Sequence, residues 1–304
     1  MIIINIMGGL GNQMFQYAVA KHLSIIHNTP LKIDTSNFDR CTPNRDHTLQ
    51  LNSFKISAPQ ALRSEIADYR KTGLKHKLGI VPLLNALGLC RETGETPRLY
   101  SEPAGSAFKP EVLALGPKTY LIGYFNSYKY FDAVKPLLVE EFSPRGEISD
   151  AARGILASIA DSNSVSVHVR RGDYMTDPNI RKELEGVITE RYYKNAVNYM
   201  AERVSDPHFF MFSDDIAWVK ENLRLPHRMT CVDFNSPQRG FEDLWLMSRC
   251  KHNITAGGST FSWWAAYLNP HKEKIIIRTG RISKNAAYNH PEDYFPPEWK
   301  RVES

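Results

Sequence analysis

The stretch Val165–Tyr174 reads Val-Ser-Val-His-Val-Arg-Arg-Gly-Asp-Tyr and joins a strand pattern to a dense run of charged side chains. Every second residue at its start is a valine: Val165, Val167 and Val169. This alternation predicts a β-strand, and it places His168, Arg170 and Arg171 at the carboxyl end, where open α/β sheets bind ligands. Guanidinium groups stay charged and match pairs of phosphate oxygens. The stretch therefore predicts a phosphate-binding site.

The residues after the arginines leave two interpretations. Gly172 allows a sharp turn, and Asp173 is placed to orient an arginine or to bond a ligand hydroxyl. Alternatively, one arginine forms a surface salt bridge with Asp173, and His168 is an ordinary core residue. Two adjacent arginines rarely both serve structural carboxylates, so the ligand-binding interpretation is favoured.

Composition limits the classes of protein and partner. The chain has 304 residues, of which 42% are hydrophobic and 23% charged, with a net charge of +5. This is a globular composition, and its mild positive charge favours acidic ligands such as nucleotides over a nucleic-acid face. The four cysteines are far apart and predict neither a zinc site nor a disulfide framework. With no signal peptide and no apolar run of spanning length, we expect a cytoplasmic protein.

The second half alternates regularly between strand and helix patterns. The predicted strands are Ser164–Val169, His208–Phe212, Met229–Val232, Asn253–Ala256 and Lys274–Ile277. The predicted helices between them are Glu190–Arg203, Ile216–Leu223, Phe241–Cys250 and Thr260–Leu268. Such alternation predicts a parallel sheet with crossover helices. Helix-breaking residues at Ser143–Gly146 place the join between two Rossmann-like domains, which we expect to span residues 1–147 and 148–304.

The N-terminus predicts a strand, a glycine-rich loop and a helix. Ile2–Ile6 is the strand, and Gly9 and Gly11 occupy the first two positions of a dinucleotide-binding G-x-G-x-x-G. The third position is Met14, which argues against a nicotinamide or flavin oxidoreductase. We favour a loop that brings backbone close to a ligand, with Asn12 offering its amide. The alternative is a tight turn in which Asn12 only caps the helix.

The region from residue 39 to 117 is less informative. Amphipathic helical patterns occur around Gln60–Tyr69 and Val81–Leu89, and Lys71, Lys75, His76 and Lys77 precede the apolar run Ile80–Leu89. A basic stretch before an apolar one is typical of peripheral membrane contact. It is more often a solvated turn before a core helix, and we favour that interpretation.

Two further clusters follow predicted strands of the second half. Ser213-Asp214-Asp215 offers paired carboxylates for a metal, a ribose diol or guanine, although helix capping by Ser213 and Asp214 is an equal alternative. Gly257-Gly258-Ser259-Thr260 forms a turn into a helix, a typical anion site. Asp243 is either a cap or a ligand for base or ribose. No Asp-x-Asp occurs, so we expect no metal.

Together these motifs resemble the α-1,2-fucosyltransferases of glycosyltransferase family 11. The resemblance rests on four motifs that occur in order over nearly the whole chain. They are Gly8-Gly9-Leu10-Gly11-Asn12-Gln13, His168-x-Arg-Arg-x-Asp173, Ser213-Asp214-Asp215 and Gly257-Gly258-Ser259-Thr260-Phe261-Ser262. It implies an α/β, GT-B-like architecture with two facing Rossmann-like domains. It also implies inverting, metal-independent transfer of L-fucose from GDP-fucose to the 2-hydroxyl of a galactose, with no cofactor.

The resemblance also implies roles for individual residues. Arg170 contacts the β-phosphate and is the catalytic group, with His168 and Arg171 nearby. Ribose or guanine is held by Asp214, Asp215 and Asp243, and phosphate by Ser259 and Thr260. Gly9, Gly11 and Asn12 approach from the first domain, and Asn12 orients the acceptor hydroxyl. From their positions in the sequence, and not from the resemblance, Asp173, Asp177 and Glu190 are candidates for a base, and the alternative that the reaction uses no strong base stays open.

Several alternatives remain open at this point. The expected acceptor is a galactose-terminated oligosaccharide or lipid-linked glycan, handled by a bacterial enzyme in the cytoplasm or at the inner face of the membrane. A different acceptor or linkage shares every donor feature. A non-catalytic nucleotide or glycan-binding module is a third possibility. No nucleic-acid partner is expected, and the oligomeric state is left open.

Overall fold

The structure is a computed structural model that describes residues 1–39, 48–77, 97–103, 105, 107–172, 177–184 and 186–303. The chain divides into two compact units, each with its own sheet. The first consists of Met1–Leu51, Ile56–Ala104 and Phe108–Glu141, and the second of Asn52–Lys55, Gly105–Ala107 and Phe142–Ser304. The predicted join at 147/148 lies a few residues beyond the one at Glu141. Asp173 and the predicted helix at Val81–Leu89 lie outside the described residues.

The first unit contains a four-stranded parallel sheet in the order β2-β1-β4-β3. Its strands are β1 (Ile2–Asn5), β2 (Leu31–Asp34), β3 (Arg98–Ser101) and β4 (Thr119–Ile122). Its helices are α1 (Leu10–Ile26), α2 (Arg63–Lys77) and α3 (Lys135–Glu141). All four residues of β1 are buried, as expected of a strand covered on both faces. The parallel arrangement brings the carboxyl ends of β1, β4 and β3 to one edge.

The second unit contains a six-stranded parallel sheet in the order β10-β9-β8-β5-β6-β7. The strands are β5 (Asn163–Val169), β6 (Pro207–Ser213), β7 (Met229–Cys231), β8 (His252–Ile254), β9 (Ile276–Arg278) and β10 (Lys300–Arg301). The helices are α4 (Asp150–Ala160), α5 (Pro178–Leu184), α6 (Glu190–Ala201), α7 (Ile216–Asn222), α8 (Gly240–Arg249), α9 (Thr260–Tyr267) and α10 (Pro291–Tyr294). The prediction of strands and helices for this half is confirmed, with ends shifted by one or two residues.

The central strand β5 sets the register of the second sheet. It pairs with β6 over its whole length, from Asn163 opposite Pro207 to Val169 opposite Ser213, and with β8 on its other side. Its valines are fully buried, and they pack with Tyr192 and Met200 of α6. Because β8, β5 and β6 are neighbours and parallel, their carboxyl ends lie side by side.

A short segment from the first half of the chain belongs to the second unit. The backbone N–H of Lys55 donates to the carbonyl oxygen of Ser143 at 3.0 Å, and that of Arg145 donates to Ser53 at 2.8 Å. The buried Phe54 ring packs edge-on against the rings of Phe142 and Phe241, with centroids 5.8 and 6.3 Å away. Aromatic burial of this size gives residues 52–55 a firm place in the second core.

The sequence pattern of the first half also predicts a strand at Thr119–Phe125 and a helix at Tyr130–Phe142, and both predictions are wrong in detail. The predicted helix Tyr130–Phe142 begins only at Lys135, after two 3-10 turns, because Pro136 lacks an N–H and favours the first turn of a helix. The predicted strand Thr119–Phe125 ends at Ile122, because Gly123 and Phe125 adopt φ angles of +156° and +52°. Such angles are incompatible with a strand. The chain turns sharply there instead.

Candidate donor and acceptor sites

The carboxyl ends of β5 and β6 are locked together by a side chain. The Ser213 hydroxyl donates to the carbonyl oxygen of Val169 at 2.7 Å and accepts from the backbone N–H of Asp215 at 3.0 Å. Because β5 and β6 are neighbours, this brings the motif containing His168 and two arginines next to the Ser213-Asp214-Asp215 cluster. The two motifs form one continuous polar edge.

The two arginines pair with the two aspartates, so the expectation that adjacent arginines do not both pair with carboxylates of the protein is wrong. Arg170 Nη1 lies 2.8 Å from Asp214 Oδ2, and Asp214 Oδ1 accepts from the backbone N–H of Arg171 at 2.8 Å. Arg171 Nε donates to Asp215 Oδ2 at 3.1 Å, and its guanidinium lies 3.8 Å from the centre of the Trp218 ring. Arg171 is therefore held on two sides, whereas Asp214 spans both arginines.

These pairs stay within reach of solvent. The Arg170 and Asp214 side chains are 30% and 23% exposed, and those of Arg171 and Asp215 are 21% and 39% exposed. Ion pairs at such exposure are worth about 0–1 kcal/mol, so a pyrophosphate can compete for the guanidinium groups. Asp215, not Asp214, caps helix α7, because its carboxylate accepts from the Trp218 N–H at 3.2 Å. That Asp214 and Asp215 hold ribose or guanine stays a prediction.

His168 is buried and uncharged at neutral pH. Burial lowers the pKa of His168 to about 4. The negative charge of Asp214 opposes this lowering, and the positive charge of Arg170 adds to it. Its ring centroid lies 5.5 Å from that of Phe261 at the start of α9. Within the described residues, the buried Nδ1 makes no hydrogen bond. A neutral imidazole with an unused ring nitrogen is suited to a hydrogen bond with a ligand.

The turn after β8 requires both of its glycines. Gly258 has φ +71°, and a Cβ there would lie 2.7 Å from the carbonyl oxygen of Ile282. A Cβ on Gly257 would lie 2.5 Å from Thr279 Oγ1. Ser259 precedes α9 without making a side-chain capping bond, so capping does not account for its hydroxyl. The tight turn and the helix start form the geometry typical of an anion site.

Asp243 lies in the first turn of α8 and is partly buried. Its Oδ1 accepts from Asn235 Nδ2 at 2.6 Å. Burial raises the pKa of Asp243 to about 6, opposed by the hydrogen bond from Asn235 and reinforced by the charge of Glu242. Glu242 itself bonds Arg239 and the backbone and hydroxyl of Ser149, so it ties two helices together. Asp243 is the acid of this pair that is suited to a ligand.

The glycine-rich loop of the first unit is organised by glutamine. Gln13 Nε2 donates to the carbonyl oxygens of Gly8 and Thr48, both at 2.9 Å, and Gln13 Oε1 accepts from the N–H groups of Gln50 and Leu51, both at 3.1 Å. Gln13 is the last residue of the motif Gly8–Gln13, but no role was predicted for it from the sequence. Its burial and its four bonds explain why an amide is needed there.

Asn12 lies within the first turn of α1 and is not its cap. The helix begins at Leu10 and Gly9 occupies the capping position, so the alternative that Asn12 only caps the helix is wrong. Its amide nitrogen would lie 3.1 Å from a Cβ on Gly8, whose φ is +76°. Within the described residues, the buried Oδ1 of Asn12 has no hydrogen-bond partner. The side chain is available to a ligand.

The predicted site residues therefore fall into two groups. The second unit contains His168, Arg170, Arg171, Asp214, Asp215, Asp243, Ser259 and Thr260, and the first unit contains Gly9, Gly11 and Asn12. Of the acids considered as a base, Glu190 is exposed at the start of α6, and Asp177 immediately precedes α5. Sequence reasoning missed Glu102, which follows β3 and lies outside every motif.

Three further observations concern metals, thiols and membranes. Ligand atoms of His290, Glu292 and Asp293 lie within 4.8 Å of one another at the start of α10, but none of these is a predicted site residue. Cys231 and Cys250, the two cysteines within the described residues, are both free. None of the described helices has the length and apolar character needed to cross a bilayer.

Comparison with solved structures shows the fold. The structure of the fucosyltransferase NodZ from Bradyrhizobium matches with a TM-score of 0.50 and 14% sequence identity, covering 95% of both chains. Another, of the NodZ α-1,6-fucosyltransferase soaked with GDP-fucose, matches with a TM-score of 0.50 over 93% of this chain. With the two parallel-sheet units, this likeness confirms the predicted GT-B-like fold class.

Comparison with known sequences shows the family. An α-1,2-colitosyltransferase of Escherichia coli is 32% identical over 99% of both chains. The O-antigen biosynthesis glycosyltransferase WbnK of Escherichia coli is 29% identical over 89% of this chain and 91% of its own. The profile of glycosyl transferase family 11 matches residues 100–303. This protein therefore belongs to glycosyltransferase family 11.

Proposed function

We propose that this glycosyltransferase transfers L-fucose from GDP-β-L-fucose to the 2-hydroxyl of a galactose residue, with inversion and without a metal ion. One observation carries the proposal: Arg170 stands at the end of the central strand, partly exposed, with a second guanidinium beside it. The neighbouring strands contribute an anion-type turn at Gly257–Ser259 and a carboxylate cluster. This is a set of groups suited to a nucleoside diphosphate.

The reaction makes use of a fixed positive charge. As the bond between fucose and the β-phosphate lengthens, the departing GDP gains negative charge. A guanidinium that is already in place stabilises this charge more in the transition state than in the bound donor. Arg170 is proposed for that role, with Ser259 and Thr260 binding phosphate and His168 donating or accepting one hydrogen bond. Arg171 is held by Asp215 and Trp218, and it adds positive potential.

The nucleoside is proposed to lie against the acids of the second unit. Asp243 is partly buried and paired with Asn235, so its carboxylate offers a fixed acceptor for the N1–H and amino group of guanine. Asp214 and Asp215 are candidates for the ribose hydroxyls. The acceptor is proposed to be a galactose-terminated oligosaccharide or lipid-linked glycan, bound on the side of Gly9, Gly11 and Asn12 in the first unit.

The name of one relative supports a proposal about the cellular setting. That relative is named for O-antigen biosynthesis, and we propose a similar role for this protein in building a bacterial surface glycan. Precursors of such glycans are assembled from nucleotide sugars, so a cytoplasmic location, with or without peripheral contact at the inner face of the membrane, is part of the proposal.

A second candidate concerns the donor sugar. The relative that is 32% identical over 99% of both chains is named as a colitosyltransferase. Colitose differs from fucose by the absence of the 3-hydroxyl. A pocket that hydrogen-bonds this hydroxyl rejects the deoxy sugar strongly, whereas an apolar pocket does not. Transfer of colitose to the same galactose hydroxyl is thus the alternative.

The experiment that tests the proposal compares donors and acceptors directly. The full chain is incubated with GDP-fucose or GDP-colitose and a panel of β-galactosides, with EDTA present, and the product linkage is determined by NMR. The proposal expects an α-1,2-linked fucosyl galactoside. Product formed only with GDP-colitose would establish the alternative donor, and fucose attached to another hydroxyl would correct the linkage.

Calorimetric titration with GDP and with NAD⁺ separates the remaining classes. Binding of GDP without transfer to any acceptor would indicate a non-catalytic nucleotide-binding module. Binding of NAD⁺ in place of GDP would indicate an oxidoreductase, against which Met14 already argues. The proposal expects GDP to bind and NAD⁺ not to bind.

A further inference from the structure

A carboxylate that belongs to no sequence motif lies at the carboxyl edge of the first sheet. Glu102 directly follows β3, whose last residue Ser101 pairs with Ile122 at the end of β4. Its backbone N–H donates to the carbonyl oxygen of Ile122 at 2.7 Å, which continues the ladder. This fixes Glu102 at the sheet edge from which the glycine-rich loop after β1 also emerges.

One oxygen of this carboxylate is held by backbone. Glu102 Oε2 accepts from the N–H of Tyr124 at 2.8 Å and from that of Phe125 at 2.9 Å. The other oxygen, Oε1, makes no hydrogen bond with any part of the chain that the structure describes. Two bonds to one oxygen fix the orientation of the side chain, and they leave the second oxygen to accept from something else.

The turn that holds Glu102 adopts unusual backbone angles. Gly123 has φ +156°, and a Cβ there would lie 2.4 Å from the Cβ and 2.7 Å from Oε2 of Glu102, so only glycine fits. Phe125 is a buried, bulky residue with φ +52°, which costs on the order of 1–3 kcal/mol. Its ring packs against those of Tyr100 and Tyr130, with centroids 6.3 and 5.9 Å away, and this packing stabilises the turn. A strained turn that presents two N–H groups to one carboxylate is typical of a functional site.

The surroundings of Glu102 suit a sugar. Tyr124 is 43% exposed, and its ring would lie 3.4 Å from a Cβ on Gly8, beside the Asn12 amide. Among the described residues, the buried amide oxygens of Asn12 and Asn126 have no hydrogen-bond partner. An exposed aromatic ring can pack against the apolar face of a sugar, and carboxylate and amide oxygens can accept hydrogen bonds from its hydroxyls.

We infer that Glu102 binds the acceptor and takes the proton of the hydroxyl that attacks the donor. In this step the acceptor oxygen forms a bond to the anomeric carbon of fucose. The bond from that carbon to the β-phosphate oxygen breaks, and its electron pair leaves with GDP. The acceptor proton passes to Oε1 of Glu102 and then to solvent. The inference rests on the proposed function, because it requires transfer to a hydroxyl.

The electrostatic surroundings are consistent with a base. Burial raises the pKa of Glu102, while the N–H groups of Phe125 and Tyr124 and the charge of Lys109 oppose the rise. The other titratable groups around it are the side chains of Tyr100 and Tyr130, with Glu111 acting on both tyrosines. A carboxylate with a raised pKa is a better proton acceptor near neutral pH than an exposed one.

The test compares two reactions of each variant: fucose transfer to a β-galactoside, and hydrolysis of GDP-fucose in the absence of an acceptor sugar. Glu102→Gln keeps an oxygen that accepts from the two backbone N–H groups, but it replaces the negatively charged carboxylate by a neutral amide that cannot take a proton. Transfer to a β-galactoside is expected to fall about 100-fold or more in kcat. The Kd for GDP and the slow hydrolysis of GDP-fucose without acceptor are expected to stay within about twofold, because the second unit is unchanged. At saturating GDP-fucose, the fall in wild-type kcat at acid pH is expected to be absent from the residual activity of the variant.

Two further variants keep the outcome interpretable. Glu102→Asp retains a carboxylate with a shorter reach, so it is expected to have an intermediate kcat and to keep the acid limb. Glu111→Gln changes an exposed acid of the same unit and is expected to behave as wild type. Thermal unfolding of all variants shows whether the fold is kept.

The possible failures can be told apart. If wild-type protein transfers fucose and Glu102→Gln retains its kcat and pH profile, the inference is overturned and the proposed function stands. Equal losses of transfer and of hydrolysis without acceptor would also overturn it, because the acceptor would not be involved. If wild-type protein transfers to no hydroxyl at all, the proposed function itself fails.

Discussion

Asp214 spans two consecutive arginines: its Oδ2 lies 2.8 Å from Arg170 Nη1, and its Oδ1 accepts from the Arg171 N–H at 2.8 Å. The backbone of Gly172 also lies close to Asp214, because a Cβ on this glycine would be only 2.7 Å from Asp214 Oδ2. Asp214 therefore sets both the end of the central strand and the direction of the Arg170 side chain. This relationship makes Asp214 a positioning residue whose removal has a definite kinetic consequence.

Asp214→Asn is expected to lower kcat by an order of magnitude or more, a larger factor than the rise in the Kd for GDP that follows from a weaker contact with the ribose hydroxyls. The amide keeps an acceptor for the Arg171 N–H but loses the charge that orients Arg170, and small misplacements of a catalytic group are costly in rate. Steady-state kinetics with GDP-fucose and GDP titration give the two values. Asp150→Asn, at a 91% exposed side chain, is the matched control. An unchanged kcat in the Asp214 variant would show that Arg170 does not need this partner.

Arg170→Ala is expected to abolish turnover and to leave the fold intact. Loss of one charge-assisted contact to the developing phosphate charge costs about 3–4 kcal/mol, which is a hundredfold or more in kcat. Arg170→Lys is expected to recover only part of the rate, because an ammonium lacks the planar fork. Arg203→Ala, at a 43% exposed arginine beyond the end of α6, serves as the control. Wild-type activity in Arg170→Ala would remove the central assignment.

Gly258→Ala is expected to destabilise the second unit and to weaken GDP binding. The new Cβ would lie 2.7 Å from a backbone oxygen at φ +71°, a change that costs about 1–3 kcal/mol. Gly154→Ala is the matched control: a Cβ there meets no atom within 4 Å, and the residue lies in α4. That control is expected to raise stability by up to about 1 kcal/mol. Thermal unfolding and GDP titration measure both effects, and equal stability of the two variants would contradict the prediction.

Binding of GDP-fucose is expected to weaken as the pH falls below about 6, the value to which burial raises the pKa of Asp243. Guanine is bound by the ionised carboxylate, so protonation removes the acceptor, and the Kd rises by about tenfold per pH unit once Asp243 is mostly protonated. His168, with a pKa lowered to about 4, does not titrate in this range. GDP-fucose is the suitable ligand, because its pyrophosphate is substituted at both ends. Asp243→Asn is expected to bind weakly at every pH, and a flat wild-type profile between pH 5 and 7 would argue against this role.

Tyr120→Phe is expected to destabilise the first unit by about 1–3 kcal/mol at pH 7, because it leaves a buried carboxylate with one partner fewer. The Tyr120 hydroxyl donates to Asp34 Oδ2 at 2.6 Å. Burial alone would raise the pKa of Asp34, but hydrogen bonds from Tyr120 and Ser36 and the charge of Arg70 lower it overall.

The sign of the pH dependence follows from this lowered pKa. The ionised Asp34 stabilises the fold above its unfolded pKa of about 3.9, and this stability is lost as the pH falls through the lower folded value. The difference between wild type and Tyr120→Phe should therefore be largest above about pH 5 and should shrink in more acidic solution. Chemical unfolding across this pH range measures it. Tyr288→Phe, at a 40% exposed tyrosine, is the control and should differ from wild type at no pH.

The second unit was largely predictable from sequence, for a physical reason. Strands β5 and β6 are almost fully buried: valines alternate along β5, Phe209–Phe212 form an apolar run in β6, and helix α6 between them has a clear apolar side. The turn at Gly257–Ser259 was also predictable, because two adjacent glycines before a hydroxyl residue are typical of a tight turn into a helix. The pairing of Arg170 with Asp214 was not predictable, because it depends on the register between two strands.

The features that sequence reasoning missed depend on contacts between distant residues. Strand β3 has the pattern Arg-Leu-Tyr-Ser, which contains no apolar run, and it forms because β4 offers a partner. Strand β10 has only two residues. Glu102 is one acid among many in the sequence, and only the turn at Tyr124 and Phe125 distinguishes it.

The hydrogen bonds of Lys55 to Ser143 and of Arg145 to Ser53 have a practical consequence for engineering. A chimera that exchanges the C-terminal half between relatives by a single crossover near residue 142 would take Phe54 from one parent and its packing partners Phe142 and Phe241 from the other. A hybrid with altered donor preference should therefore take residues 52–55 from the parent that supplies the C-terminal half. Chimera libraries in which residues 52–55 and the C-terminal half come from one parent should contain more soluble, active variants than libraries with a single crossover.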